Sequence, residues 1–204
     1  MKSLESKFTL VILGRSGSGK GTQAKFLVRR LQKQGVSYVG TGEILRILVR
    51  KYRNPTIDIA RRIMRGGKLF PAWFPAYAWL KEFIENGMAA NHIVFDGAAR
   101  RVWEAKLLDD VVAAHRRSLP LVILGDVGER EAMRRLLARG RSDDKPPKIK
   151  NRLAFFGRYV SPVIRYYRSR GRLIRVNGEQ SVKNVWKEID AQLKKRLGKK
   201  WPSP

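Results

Sequence analysis

The residues best able to do chemistry lie together in Gly14-Arg15-Ser16-Gly17-Ser18-Gly19-Lys20-Gly21-Thr22-Gln23. Their spacing is G-x-x-x-x-G-K, directly after the apolar run Phe8 to Leu13 and directly before an amphipathic segment. Glycine tolerates the backbone angles that let successive N–H groups close around phosphate oxygens. A helix opening at that point adds the positive end of its dipole, and a lysine there reaches the terminal phosphates. A merely flexible glycine-rich turn does not account for Lys20. The segment reads as a phosphate-binding loop.

Such a loop must be held by a strand before it and a helix after it. Phe8–Leu13 is short, apolar and stopped by glycine, so it reads as a buried strand. Ala24, Leu27, Val28 and Leu31 follow at helical spacing. Four more short strands are expected at Val36–Val39, His92–Phe95, Leu119–Leu124 and Leu173–Val176, with helical segments between them. A cation-rich helical region runs through Arg46, Arg50, Arg61 and Arg65, with Pro55 as a break inside it. Val182, Val185, Trp186, Ile189 and Leu193 give a last helix one apolar face. Strands alternating with helices predict an α/β fold of the P-loop NTPase type, a five-stranded parallel sheet flanked by helices. Ligands of such sheets bind at the carboxyl ends of the strands, where the loop and Asp96 both fall. The last residues, 198–204, read as a disordered basic tail.

Composition bounds the remaining classes. A chain of 204 residues with 43% hydrophobic content builds one substantial core. The chain has no apolar run long enough for a bilayer and no signal-peptide pattern, so a cytoplasmic protein without a membrane partner is expected. Cysteine is absent, which excludes disulfides and thiolate-held zinc. Forty-four Lys and Arg against seventeen Asp and Glu give a net charge of +27. That surplus is either a footprint for nucleic acid or a solvated surface, and its diffuse spread favours the second. His92 and His115 fit no catalytic arrangement and read as structural or surface residues.

Four further segments share an order with the loop: Thr41-Gly42-Glu43-Ile44-Leu45-Arg46, Asp96-Gly97-Ala98-Ala99-Arg100, Arg135 to Arg139, and Gly140-Arg141-Ser142-Asp143-Asp144 with Arg152. In this order and spacing the chain resembles the adenylate kinase family of nucleoside monophosphate kinases, from about Leu10 to the final helix. The resemblance implies a monomer that transfers a phosphoryl group reversibly from Mg·ATP to a nucleoside monophosphate, with AMP as the expected acceptor. It assigns Lys20 and the amides of Gly17, Ser18, Gly19 and Gly21 to the ATP phosphates, with Thr22 beside them. Thr41, Gly42, Arg46 and Gly97 fall to the monophosphate pocket, Arg100 to the grip on its phosphate, and Asp96 to the water shell of Mg²⁺. Arg135 and Arg139 match the first edge of a lid over ATP, and Arg141 and Arg152 the pair that closes on the transferring group. The implied layout is one domain over 1–204: core segments 1–41, 71–138 and 150–197, a monophosphate-binding insert over about 42–70, and a short zinc-free lid over about 139–149.

The chemistry is coherent without the family. Phosphoryl transfer places charge on equatorial oxygens, so positioning and electrostatic stabilisation dominate. Guanidinium forks bind such oxygens bidentately, and an acceptor that is itself an anion needs no general base. Two alternatives stay open: a basic RNA- or ribosome-associated P-loop protein with a reduced nucleotide site, and a P-loop kinase for another small acceptor. The retained arginines weigh against the first, and the segment Thr41 to Arg46 against the second.

Several positions depart from the family. Ser16 stands where a loop proline is usual, and Ala98-Ala99 where Phe-Pro is usual. Glu104 occupies the position that in the family is a base-reading glutamine. An ionised glutamate only accepts hydrogen bonds, which suits the N1–H and N2–H of guanine better than the N1 lone pair of adenine. It could equally turn away or pair with Arg101. Asp143 and Asp144 could cap the next helix, whose first turn suits Pro146 and Pro147, or act as a lid hinge. Trp73, Phe74, Tyr77 and Trp79 read as packing for the insert.

Overall fold

The computed structural model describes residues 7–141 and 144–203, so Asp143, the residues before Lys7 and the terminal Pro204 lie outside the described part. Five parallel strands, β1 (Thr9–Leu13), β2 (Val36–Gly40), β3 (His92–Asp96), β4 (Leu121–Asp126) and β5 (Leu173–Asn177), stand in the order β2-β3-β1-β4-β5. All five residues of β1 are buried, as a central strand covered on both faces requires. Its register sets Ile12 beside Asp96 and Leu13 beside Leu124. The chain leaves β1 toward one edge of the sheet and returns to build the other, so the site lies where the order switches. β4 begins at Leu121 rather than Leu119, because Pro120 has no N–H for a ladder and Leu119 is half-exposed.

Among the described residues nine α-helices accompany the sheet: α1 (Lys20–Leu31), α2 (Thr41–Lys51), α3 (Pro55–Arg65), α4 (Trp73–Glu85), α5 (Val102–Ala114), α6 (Glu129–Arg139), α7 (Pro146–Phe155), α8 (Ser161–Ser169) and α9 (Val182–Leu197). Leu10 and Ile12 point to one face, where they pack with Leu27 of α1 and Ile189 of α9. Val11 and Leu13 point to the other, packing with Trp79, Leu108 and Tyr167. Each layer takes alternate residues of β1, as the pleat dictates.

α2 and α3 form an arm with its own small core of Leu45, Leu48, Val49, Ile57 and Ala60 against Phe74 and Ala78 of α4. Pro55 does not break a helix; it starts α3, whose Ile57 N–H is capped by Asn54 Oδ1 at 3.0 Å. Of the aromatic group on α4, only Phe74 belongs to the arm core; Trp79 is buried in the sheet core instead, and Trp73 and Tyr77 are half-exposed, the Trp73 ring lying 5.3 Å from Phe74.

The tail does not behave as its composition suggests. Trp201 is buried, its ring 6.1 Å from Phe8, and its indole N–H donates to Asp190 Oδ1 at 2.9 Å. Arg30 donates to the Pro202 carbonyl at 3.1 Å. The buried indole and the Arg30 bond together tie this basic segment to the core.

The foot of β1 carries a titratable lock. His92 Nδ1 accepts the Phe8 N–H at 3.0 Å, which requires that nitrogen unprotonated. Burial, reinforced by Lys7 and Arg117, holds the imidazole down from 6.5 to about 4. Below pH 6.5 the unfolded chain takes up a proton that the folded one resists. The contribution is therefore complete above that pH and lost as pH falls toward 4, by at most about 3 kcal/mol. Urea unfolding of His92→Asn, which keeps an acceptor, should show a shallower loss of stability from pH 7 to 4.5 than the wild type. An identical slope would remove His92 as its source.

Candidate functional site

The residues singled out from the sequence converge on a single cleft of about 1180 Å³ at the carboxyl ends of β1, β2 and β3. Every residue assigned to ATP, the monophosphate, Mg²⁺ or the transferring group lines it except Ser18, which is buried beneath the loop with its hydroxyl turned toward Gly14. Gly17 and Gly19 have φ of 86° and 83°, in the left-handed region. A Cβ on Gly17 would come within 2.6 Å of the Ala132 carbonyl of α6, so the loop is seated directly on that helix.

α1 follows Gly19 at its N-cap with no side chain capping it, which leaves its first N–H groups free at the cleft, the arrangement that binds anions. Lys20 folds over the loop and donates to the carbonyls of Gly14 at 3.0 Å and Arg15 at 2.7 Å. Burial lowers its pKa to about 8, helped by Arg100 and Arg139 and opposed by Asp96.

Asp96 ends β3 beside the loop. A Cβ on Gly21 would lie 3.2 Å from its Oδ2, so glycine after the lysine keeps that carboxylate open to the cleft. Among the described residues no three His, Asp or Glu side chains cluster in metal-binding range. One hard carboxylate in a phosphate-binding cleft fits Mg²⁺, which keeps most of its waters and takes its other ligands from phosphates. Tyr38, which the sequence reading missed, sets its hydroxyl 3.4 Å from the same Asp96 oxygen. A tyrosine in a strand reads as packing, so nothing in the sequence marked it.

On the arm side, Thr41 is buried with no hydrogen-bond partner for its hydroxyl, Gly42 follows on the first turn of α2, and Arg46 on the second. Arg100 donates from Nε to the Gly97 carbonyl at 2.9 Å. Gly97 (φ 78°) leaves the space its guanidinium occupies, since a Cβ would lie 2.6 Å from an Arg100 nitrogen. Ala99 takes φ of 52°, which no proline can adopt, so the loss of Phe-Pro here goes with a different turn. Glu104 neither turns away nor pairs through its carboxylate with Arg101: it lines the cleft, and Oε2 accepts the Arg100 N–H at 2.8 Å. Burial raises its pKa, against the pull of Arg100 and Arg101.

The opposite rim is arginine held by acid. Arg135 donates to Glu131 at 2.6 Å and to the Gly178 carbonyl at 2.8 Å. Asp144 is not the cap of α7, whose N-cap position is Lys145 and carries no side-chain cap. Its carboxylate, with no exposed surface, accepts two bonds of 2.8 Å from Arg139, one of 2.6 Å from Arg152, and the Arg141 N–H at 3.2 Å. Burial works against the charge, yet the hydrogen bonds of Arg139 and Arg152 hold its pKa at about 2. α7 runs into α8 through a π-helical stretch, Phe156–Val160, and Arg15 of the loop stacks over Phe156 at 4.3 Å. The loop and the arginine-bearing helix are thereby joined.

A model of the adenylate kinase family matches residues 12–172 of this chain. Similar proteins include the adenylate kinase of Azobacteroides pseudotrichonymphae genomovar. CFP2, 34% identical over 87% of this chain and 93% of that protein. Adenylate kinase 1 of Nostoc sp. is 32% identical over 90% and 97%. The adenylate kinase of Thermus thermophilus is 35% identical over 90% and 96%.

Proposed function

The chain belongs to the adenylate kinase family of phosphotransferases, and from that premise we propose that it moves a phosphoryl group from Mg·ATP to AMP, reversibly, as a cytoplasmic monomer. The observation that carries this reading is the convergence of the loop, Asp96 and arginines from both rims on one cleft. The uncapped start of α1 and Lys20 hold the donor phosphates, and Thr22 stands at their edge. Arg135 and Arg139 cover the nucleotide, while Thr41, Gly42, Arg46 and Gly97 seat the acceptor and Arg100 holds its phosphate. Arg141 and Arg152 offset the charge that develops on the transferring group. Mg²⁺, when bound, neutralises donor oxygens, and Asp96 would hold it through water. In this layout α2 and α3 are the acceptor arm, and the turn at Gly140 is the lid whose closure excludes water as a competing acceptor. ADP formation with AMP, GMP, CMP and UMP offered singly tests the reading. Rapid turnover with AMP supports it, and none with any of the four contradicts it.

Glu104 is the selectivity element of this proposal. As a neutral acid it can donate to adenine N1, as an amide does; once ionised it accepts from guanine N1–H and N2–H. Because burial raises its pKa, the AMP-over-GMP preference should rise as pH falls. Glu104→Gln should raise AMP use relative to GMP and flatten that pH dependence. An unchanged ranking and an unchanged slope would remove Glu104 from base recognition.

A second reading, association with RNA, rests on charge: residues 145–178 carry ten basic and no acidic side chains. It requires RNA affinity that falls steeply on a log–log salt plot.

A further inference from the structure

The cleft holds more positive charge than two nucleotides call for. Fourteen basic side chains line it against Glu43, Asp96 and Glu104. Lys20, Arg46, Arg100 and the rim arginines have roles in the reaction proposed above; the cations of the arm's far wall have none. Beside that wall lies a second concavity of about 450 Å³, lined by Arg53, Asp58, Arg61, Arg62 and Arg65. Arg53, Arg61 and Arg65 line both spaces, so the two share a wall.

A structural duty explains half of this cluster. Arg61 donates to the carbonyls of Val49 at 2.9 Å and Tyr52 at 2.6 Å, and Arg53 to those of Arg50 at 2.8 Å and Tyr52 at 3.1 Å. These bonds satisfy the open end of α2 and fix both guanidinium groups. Arg61 also takes the carboxylate of Asp58 at 2.5 Å. Arg62 and Arg65 have no ion pair among the described residues, and both are exposed. Asp58, Arg62 and Arg65 lie on the exposed side of α3 away from Ile57 and Ala60, which face the arm core, and Arg61 stands at the edge between the two. Three guanidinium groups on and beside one helical face with one carboxylate repel one another, an arrangement that a bound anion relieves.

We propose that the arm carries a second phosphate-binding site, built on Arg62 and Arg65 with Arg53 and Arg61 as its fixed walls, for a phosphate other than the transferable one. Guanidinium forks match phosphate oxygens bidentately, and a 450 Å³ space takes a phosphate or a short polyphosphate. The anion has two sources: a second phosphate on the acceptor nucleotide, reached across the shared wall, or a free polyphosphate. The inference rests on the cleft being the acceptor site, so AMP phosphorylation is followed in the same samples to test that reading separately.

Binding of AMP, adenosine 3′,5′-bisphosphate and tripolyphosphate to the full chain is measured by calorimetry, with Arg62→Ala/Arg65→Ala alongside. At least fivefold tighter binding of the bisphosphate than of AMP, lost in the double variant while AMP binding and turnover stay within twofold, supports an acceptor-borne phosphate. Tripolyphosphate that binds without displacing AMP, and is lost in the same variant, supports the free anion. No advantage for either anion, an advantage that survives in the variant, or a short single-stranded RNA displacing both at lower concentration overturns the proposal.

Discussion

Lys20→Ala should lower kcat/KM for phosphoryl transfer about a thousandfold while leaving the urea midpoint within a few tenths molar of wild type. A thousandfold is about 4 kcal/mol of transition-state stabilisation, the scale of a preorganised cation removed from a site of developing charge. Stability should survive because this ammonium is not a structural tie. Among the described residues it bonds only to the loop carbonyls of Gly14 and Arg15, and burial lowers its pKa to about 8, so the fold works against its charge. Lys20→Arg should not restore activity, since a planar fork does not fit where a single ammonium reaches between loop and phosphates. Turnover near the wild-type value in Lys20→Ala would overturn the assignment of the loop. A collapsed urea midpoint would instead make Lys20 a structural residue.

Asp144→Ala should cost both catalysis and stability. Its carboxylate, with no exposed surface, gathers Arg139, Arg152 and the Arg141 N–H, so three groups assigned to the closing rim share one acceptor. Removing it leaves Arg152, only 13% exposed, without this counterion. Breaking a buried pair costs about 3–5 kcal/mol, and the partial exposure of Arg139, 34%, reduces the expectation here to about 2 kcal/mol. kcat should fall ten- to a hundredfold with a rise in KM for ATP, and Asp144→Asn should recover only part of the loss, since its single oxygen replaces one of the two acceptors and its NH2 faces the arginine donors. With a folded pKa of about 2, below the usual 3.8, the carboxylate's contribution is present above pH 4 and lost as pH falls toward 2. Kinetics and urea unfolding of both variants at pH 7 check this. Wild-type values for Asp144→Ala in both measurements would show that the clamp does not matter.

The sequence carried the parts of the site whose chemistry is local. Glycine and lysine spacing in Gly14–Lys20 names a phosphate loop because backbone freedom and reach are properties of the residues themselves. The five strands were legible because each is a short apolar run closed by a turn residue, and a parallel sheet buries both faces. Contacts between distant residues were not legible. The spacing of Asp143 and Asp144 suits a helix cap, and only the return of α7 beneath α6 turns Asp144 toward Arg139 and Arg152. Trp201 sits in a segment whose lysines and prolines read as unstructured, and its order depends on Phe8 and Asp190 far away in the chain. Glu104 was visible as an odd residue at a base-facing position, but its bond to the Arg100 N–H is a matter of how the turn at Ala99 is set. Tyr38 beside Asp96 required the pairing of β2 with β3.

The most direct measurement is the fate of the γ-phosphate when the wild-type chain meets Mg·ATP and AMP. ³¹P NMR of the mixture should show ADP growing at twice the rate of ATP loss, no accumulation of inorganic phosphate, and the reverse reaction when ADP alone is supplied. ATP loss matched by inorganic phosphate, or no change in either nucleotide despite ATP binding, would contradict transfer to a monophosphate.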